Sequence, residues 1–137
     1  MLHCSLLGQS YYFRRYQVEN GLSHNSVICA LQDKRGFMWF GTKDGLNRFD
    51  GYSFKTFRKD AADSNSIGNN FIQSLYEDKK GTMYVGTDKG LYQYIDKTEE
   101  FRLLPSTKEH SIFKLTGDTK GNLWFISGFA VCKYSLA

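Results

Sequence analysis

An all-β fold made of repeated four-stranded sheets is predicted by three features of this 137-residue chain. Thirteen glycines stand against a single proline, Tyr and Phe are abundant, and a common pattern recurs at intervals of 45 and 40 residues. Tyr and Phe favour the pleated surface of a sheet, and glycine favours the tight turns that join short strands. With 41% hydrophobic and 23% charged residues the chain has the composition of an ordinary globular domain.

The repeat is visible when SVICALQDKRGFMWFGTKDGLNRFD, from Ser26, is set over FIQSLYEDKKGTMYVGTDKGLYQYI, from Phe71, and SIFKLTGDTKGNLWFISGFAVCKYS, from Ser111. The three align without a gap. Asp33, Asp78 and Asp118 coincide, as do Gly36, Gly81 and Gly121, then Trp39, Tyr84 and Trp124, and finally Phe49, Tyr94 and Tyr134. A period of about 40–50 residues, with several strands in each unit, is that of propeller blades.

Each unit reads as strands parted by turns. The first strand is expected at residues 27–32, 71–77 and 112–117. A D-x-x-G turn follows, in which the Asp accepts from backbone N–H groups and the Gly takes a positive φ. The second strand, FMWFG, TMYVG or NLWFI, puts Met38 and Phe40 on one face and Trp39 on the other, and the later copies repeat that choice. A strand apolar on both faces must be covered on both, which a blade held between two neighbours achieves. The reversal GTKDGL or GTDKGL then leads into a third strand at residues 46–50, 91–95 and 131–135. In the third copy Ile126 and Ala130 replace the two glycines of that turn, so a less regular reversal is expected there. A fourth strand is expected in YSFKTFR and EEFRLL, with a counterpart, YYFRRY at residues 11–16, ahead of the first copy. An outer strand that precedes the first inner strand is what a ring needs when its last blade is completed by the start of the chain. Residues 11–137 therefore read as a propeller fragment of about three blades, with units near 11–52, 53–98 and 99–137. Because Trp39 and its equivalents recur as scaffold, they are read as core residues and not as ligand platforms.

With these residues in view, the chain resembles the two-component regulator propeller repeats of the sensor regions of Bacteroidetes hybrid two-component histidine kinases. VENGLSHNSV is similar to the start of the first blade in those sensors, and DKRGFMWFGTKDGLNRFDGYSF is similar to their repeat. The third copy departs from it at ISGFAV. The resemblance implies a periplasmic sensor fragment taking part in the recognition of polysaccharide-derived oligosaccharides. It does not imply kinase activity, since the phosphoacceptor His, the ATP-binding glycines and the receiver Asp have no counterpart in these residues. Rings need about 4–8 blades. Three blades leave an apolar face open at each end, so a homo-oligomer joined through those faces is expected, most simply two chains closing a six-bladed ring.

The remaining features bound the function. A net charge of +4 arises from scattered Lys and Arg without a basic tract, so no nucleic-acid partner is expected. Cys4, Cys29 and Cys132 lack metal-site or disulfide spacing, and His3, His24 and His110 lie far apart, so neither a metal nor a cofactor is expected. Leu2 to Leu7, running into Gly8, Gln9 and Ser10, resembles the tail of a secretion signal without its basic region or long apolar core. Residues 1–10 are read as its remnant or as a disordered terminus. No apolar run approaches the ~20 residues of a membrane helix.

Candidate ligand-binding residues are placed on the inter-strand loops. They are Lys43 and Asp44, Asp88 and Lys89, and the polar connector over residues 59–70, with Asp60, Asp63 and Asn65. A solvated connector is the competing reading of that last segment. Two other classes of function compete: a propeller-type carbohydrate-active enzyme fragment, which needs two opposed carboxyls, and a purely structural assembly module. Asp33, Asp78 and Asp118 recur at one turn position, which suits structure better than catalysis.

Overall fold

The computed structural model describes Gly8 and residues 10–136. The reading of residues 1–10 as a leader remnant thus falls mostly outside the described residues, as do His3 and Cys4. Three antiparallel sheets follow in chain order. The first holds β1 (Val27–Gln32), β2 (Met38–Thr42), β3 (Gly45–Phe49) and β4 (Phe54–Phe57), and the second holds β5 (Ile72–Glu77), β6 (Met83–Thr87), β7 (Gly90–Ile95) and β8 (Glu100–Leu103). The third has three strands among the described residues, β9 (Phe113–Gly117), β10 (Leu123–Ser127) and β11 (Ala130–Tyr134).

Each sheet is a meander, and the first strands β1, β5 and β9 lie next to one another. Strand order and register repeat closely: Thr42 pairs with Gly45 and Thr87 with Gly90, and β1 and β5 each carry a bulge at the equivalent place, between Val27 and Cys29 and between Ile72 and Ser74. A bulge sharpens the twist of the strand that bears it, as blades that splay outward from a common centre require.

The core lies between the sheets. Trp39 and Leu46 of the first sheet pack with Met83, Val85, Tyr92, Tyr94 and Phe101 of the second, and Tyr84 and Leu91 of the second pack with Leu115, Leu123 and Phe125 of the third. The two faces of β6 therefore serve two different interfaces, as the alternation of apolar residues predicts. Trp39 is wholly buried, stacked on Phe57 at 5.8 Å and edge-on to Tyr94 at 5.0 Å. Sheet approach is close enough to demand glycine at one position. A Cβ on Gly41 would stand 2.6 Å from Cγ2 of Ile72, and one on Gly86 2.7 Å from Cγ2 of Ile112.

Two expectations are corrected. The third reversal is as regular as the others: Ser127 pairs with Ala130 around a two-residue turn, with the left-handed residue supplied by Gly128 at φ 60. Residues 11–16 form no strand, because Tyr16 seats them on the first sheet, whereas the open edge they would complete, β11, belongs to the third. They are nevertheless seated. Tyr16 lies 5.1 Å from Phe49 and 5.8 Å from Phe54, the same seat that Phe57 takes against Tyr94 and Phe101 of the next sheet, at 5.8 and 5.5 Å.

Candidate functional site

Antiparallel order sorts the connections to two ends of each sheet. The D-x-x-G turns and the β3–β4 and β7–β8 turns lie at one end, and the β2–β3 and β6–β7 reversals share the other with the connectors between sheets.

At the first end the repeated aspartate has a defined task. Asp33 Oδ1 accepts from the N–H groups of Arg35 and Phe37 at 2.9 and 3.0 Å, and its Oδ2 accepts from Trp39 Nε1 at 2.9 Å. Asp118 repeats the arrangement with Lys120, Asn122 and Trp124 at 2.9, 3.0 and 2.9 Å. Asp78 accepts from Lys80 and Thr82. One carboxylate closes the turn and anchors the indole. The indole bond was missed by sequence reasoning, although Asp and Trp six residues apart in two of three copies is its signal. The Trp124 indole, followed by the Asn122 amide, holds the Asp118 carboxyl well below the usual carboxylate range.

A groove of about 290 Å³ opens between the first and second sheets at this end, lined by Asp33, Arg35, Glu77, Lys80 and Asp96 among others. Apart from Lys80, its charged side chains are engaged. Arg35 reaches Asp96 at 2.7 Å, the Lys34 N–H donates to Glu77 at 3.0 Å, and Lys34 Nζ donates to the carbonyl of Lys79. Arg48 lies over the rings of Phe37, Trp39 and Phe57 and donates to Tyr94 Oη at 3.1 Å and Glu99 Oε1 at 2.8 Å. Lys55 also binds Glu99, and Lys55, followed by Arg48, holds that carboxyl below the usual carboxylate range.

The loop candidates fall at other places. Asp44 meets Arg58 at 3.4 Å and accepts from Asn70 Nδ2 at 3.4 Å, so it ties its reversal to the connector, while Lys43 is exposed beside it. Asp88 accepts from Gln73 Nε2 at 3.4 Å, and Lys89 stands 3.8 Å from Glu109. Asp60 and Asp63 accept from the N–H groups of Ala62 and Asn65, both at 2.9 Å, within their own loop. That loop runs down the outer edge of the second sheet, where Phe101 N–H donates to the carbonyl of Asn65 at 2.8 Å and Asn65 Nδ2 donates to Glu100 at 3.3 Å. The connector shields an edge strand there. Asp44 and Asp88 thus occupy two neighbouring reversals, and Asp60, Asp63 and Asn65 stand apart from them along the edge.

Other reactive groups have structural surroundings. His24 Nδ1 accepts from Ser26 N–H at 2.9 Å, and Cys29 and Cys132 are free thiols. Burial pushes the Cys29 thiol up to about 11. Among the described residues no three His, Cys, Asp or Glu side chains converge as a metal site, and no helix is long and apolar enough to cross a membrane.

Meanders of this kind, laid face to face with strands apolar on both sides, define consecutive β-propeller blades. The family model of the two component regulator propeller matches residues 21–44 and 66–89. Those two segments, one from each of the first two blades, therefore match two-component regulator propeller repeats. Among similar proteins, Histidine kinase P4 of Formosa agariphila is 48% identical over 58 residues, 42% of this chain and 4% of the relative. The extracellular domain of BT3049, described as a hybrid two component system of B. thetaiotaomicron, superposes with a TM-score of 0.72 at 31% identity, over 82% of this chain and 17% of that one. The extracellular domain of BT4673 of the same organism gives 0.73 at 25% identity, over 88% and 16%. The chain thus spans a small part of each protein it resembles.

Proposed function

We propose that this chain is part of the periplasmic sensor of a hybrid two-component signalling system and takes part, without chemistry of its own, in recognising oligosaccharides released from polysaccharides. The observation that carries the reading is the match of both sequence repeats and three-dimensional blades to extracellular domains of such systems. A non-catalytic role is supported by the recurring aspartates. Asp33 and Asp118 have both carboxylate oxygens engaged by turn and indole donors, whereas a glycosidase needs two carboxyls free to act on the bond. Lys43, Asp44, Asp88, Lys89, Asp60, Asp63 and Asn65 remain the proposed loop contacts. Titration of the chain with panels of neutral and acidic oligosaccharides, followed by amide chemical shifts, tests recognition. Reducing-sugar release from the same panels tests catalysis. Absence of any shift refutes recognition, and sustained release of reducing ends refutes the non-catalytic role.

A second proposal concerns assembly and is favoured by the two end faces. Val27 and Ile28 on the first sheet, and Phe113, Ile126 and Val131 on the third, are exposed apolar side chains with no described sheet over them. Contiguous apolar surface of this kind marks a contact site. We propose that copies of the chain associate through these faces.

A further inference from the structure

The two spaces between blades at the D-x-x-G end are built from equivalent positions, yet they differ in content. Between the first and second sheets Arg48 fills the space, Asp96 pairs Arg35, and Glu77 receives the Lys34 N–H. At the equivalent positions between the second and third sheets stand Gln93, Leu136 and Gly117. The filling guanidinium and both acidic partners are gone. The groove there is larger, about 650 Å³ against 290 Å³, and its lining includes Tyr76, Lys79, Lys80, Gln93 and Lys120. That volume lies in the range of small-ligand sites.

The cations, however, remain. Lys79 and Lys80 occupy the positions of Lys34 and Arg35, and Lys120 joins them from the third blade. Among the described residues none of these three ammonium groups has an ion-pair partner, whereas Lys34, Arg35 and Arg48 are all engaged. The acids at the rim, Asp78 and Asp118, are turned to the N–H groups of their own turns. Tyr76 stacks against Tyr84 at 6.5 Å, with its hydroxyl pressed to Gly117, where a Cβ would come within 2.1 Å. The small residue at 117 gives Tyr76 its place. Beside it the Gln93 amide makes no side-chain hydrogen bond among the described residues and offers both a donor and an acceptor.

We propose that this groove binds an anionic saccharide, with the carboxylate or sulfate held by Lys79, Lys80 and Lys120, a ring face against Tyr76 and a hydroxyl on Gln93. Ammonium groups without internal partners make charge-assisted hydrogen bonds to such oxygens. The saccharide class rests on the proposed sensor function, and the anionic class rests on the groove.

The test is titration of the chain with trigalacturonate, galactose 6-sulfate, maltotriose and inorganic sulfate, read by amide shifts. Trigalacturonate, galactose 6-sulfate or both are expected to shift Tyr76, Lys80, Gln93 and Lys120. Which of the two binds tells a carboxylate from a sulfate ligand, and either supports the proposal. The double variant Lys80→Gln, Lys120→Gln is expected to weaken binding at least tenfold with an unchanged melting temperature, because both side chains are on the surface, and Lys108→Gln, exposed on the β8–β9 connector at the far end, is expected to leave it unchanged. Inorganic sulfate binding as tightly as the sugars overturns the saccharide assignment. Maltotriose binding as well as the acidic sugars, or loss of binding in Lys108→Gln but not in the double variant, overturns the groove while leaving oligosaccharide recognition standing. No binding by any of the three sugars overturns both.

Discussion

Asp33 shows how one side chain fixes several levels of the fold. Its carboxylate satisfies two turn N–H groups and the indole N–H of the fully buried Trp39. Asp33→Ala leaves those donors without a partner and is expected to cost about 3 kcal/mol, read as a lower urea midpoint with an unchanged slope. Asp33→Asn, which keeps an acceptor for the turn, is expected to lose less. Asp118 has the same contacts in a more open setting. Its folded pKa is depressed, so the stability it contributes is present above the unfolded carboxylate value of about 4 and is lost as pH falls through the folded value. A carbon-detected titration should therefore show no Asp118 step near pH 4, and a step there would contradict the indole bond. Cys29 shifts the other way. With the thiol at about 11, little thiolate exists at pH 8, and reaction with a disulfide reagent is expected to be roughly a hundredfold slower than for an ordinary cysteine.

Among the elements, the second strand of each blade sets the spacing between sheets. Its glycine lets the first strand of the next blade cross directly above it, and in Gly86 an added Cβ would also meet Ser74 Oγ at 2.2 Å. Gly86→Ala is expected to push the second and third sheets apart and to destabilise the chain by about 2 kcal/mol or more in thermal or urea unfolding. Gly8→Ala, which meets nothing within 4 Å, is the matched control. The reversal that follows uses the hydroxyl of Thr42 or Thr87, which donates to the carbonyl of Gly45 or Gly90 at 2.9 Å and accepts the N–H two residues on. In the third blade Gly128, at φ 60 between the paired Ser127 and Ala130, supplies the turn despite the changed glycines.

For the whole molecule, the position of those glycines governs how copies meet. Ile126 stands where Gly41 and Gly86 admit Ile72 and Ile112, and Val27 is the residue of the first blade equivalent to those isoleucines. Stacking the first blade of one copy on the third blade of another in the spacing seen within the chain would bring Val27 against Ile126. Association through these faces therefore requires a wider approach. Ile126→Gly is expected to tighten it, seen by sedimentation as association at lower protein concentration. Monomers for both forms across the micromolar range would rule out assembly by this route.

Much of this was legible in the sequence because the signal is repeated. One Asp, Gly and Trp would say little, but three aligned copies identified the blades, the strands within a residue or two, and the opposite facings of Trp39 and Met38. Period-2 alternation and turn chemistry are local, so they are written in local sequence. What the chain alone did not reveal depends on neighbours: that Asp33 bonds Trp39, that the connector with Asp60, Asp63 and Asn65 folds along an edge, and that residues 11–16 lack a strand partner while Tyr16 is still seated. The contrast between the two grooves is of the same kind. Arg48, Asp96 and Glu77 are distant in sequence, and only the stacking of one blade on the next brings them to one space, because contacts between sheets are set by packing geometry and not by the order of residues along a strand.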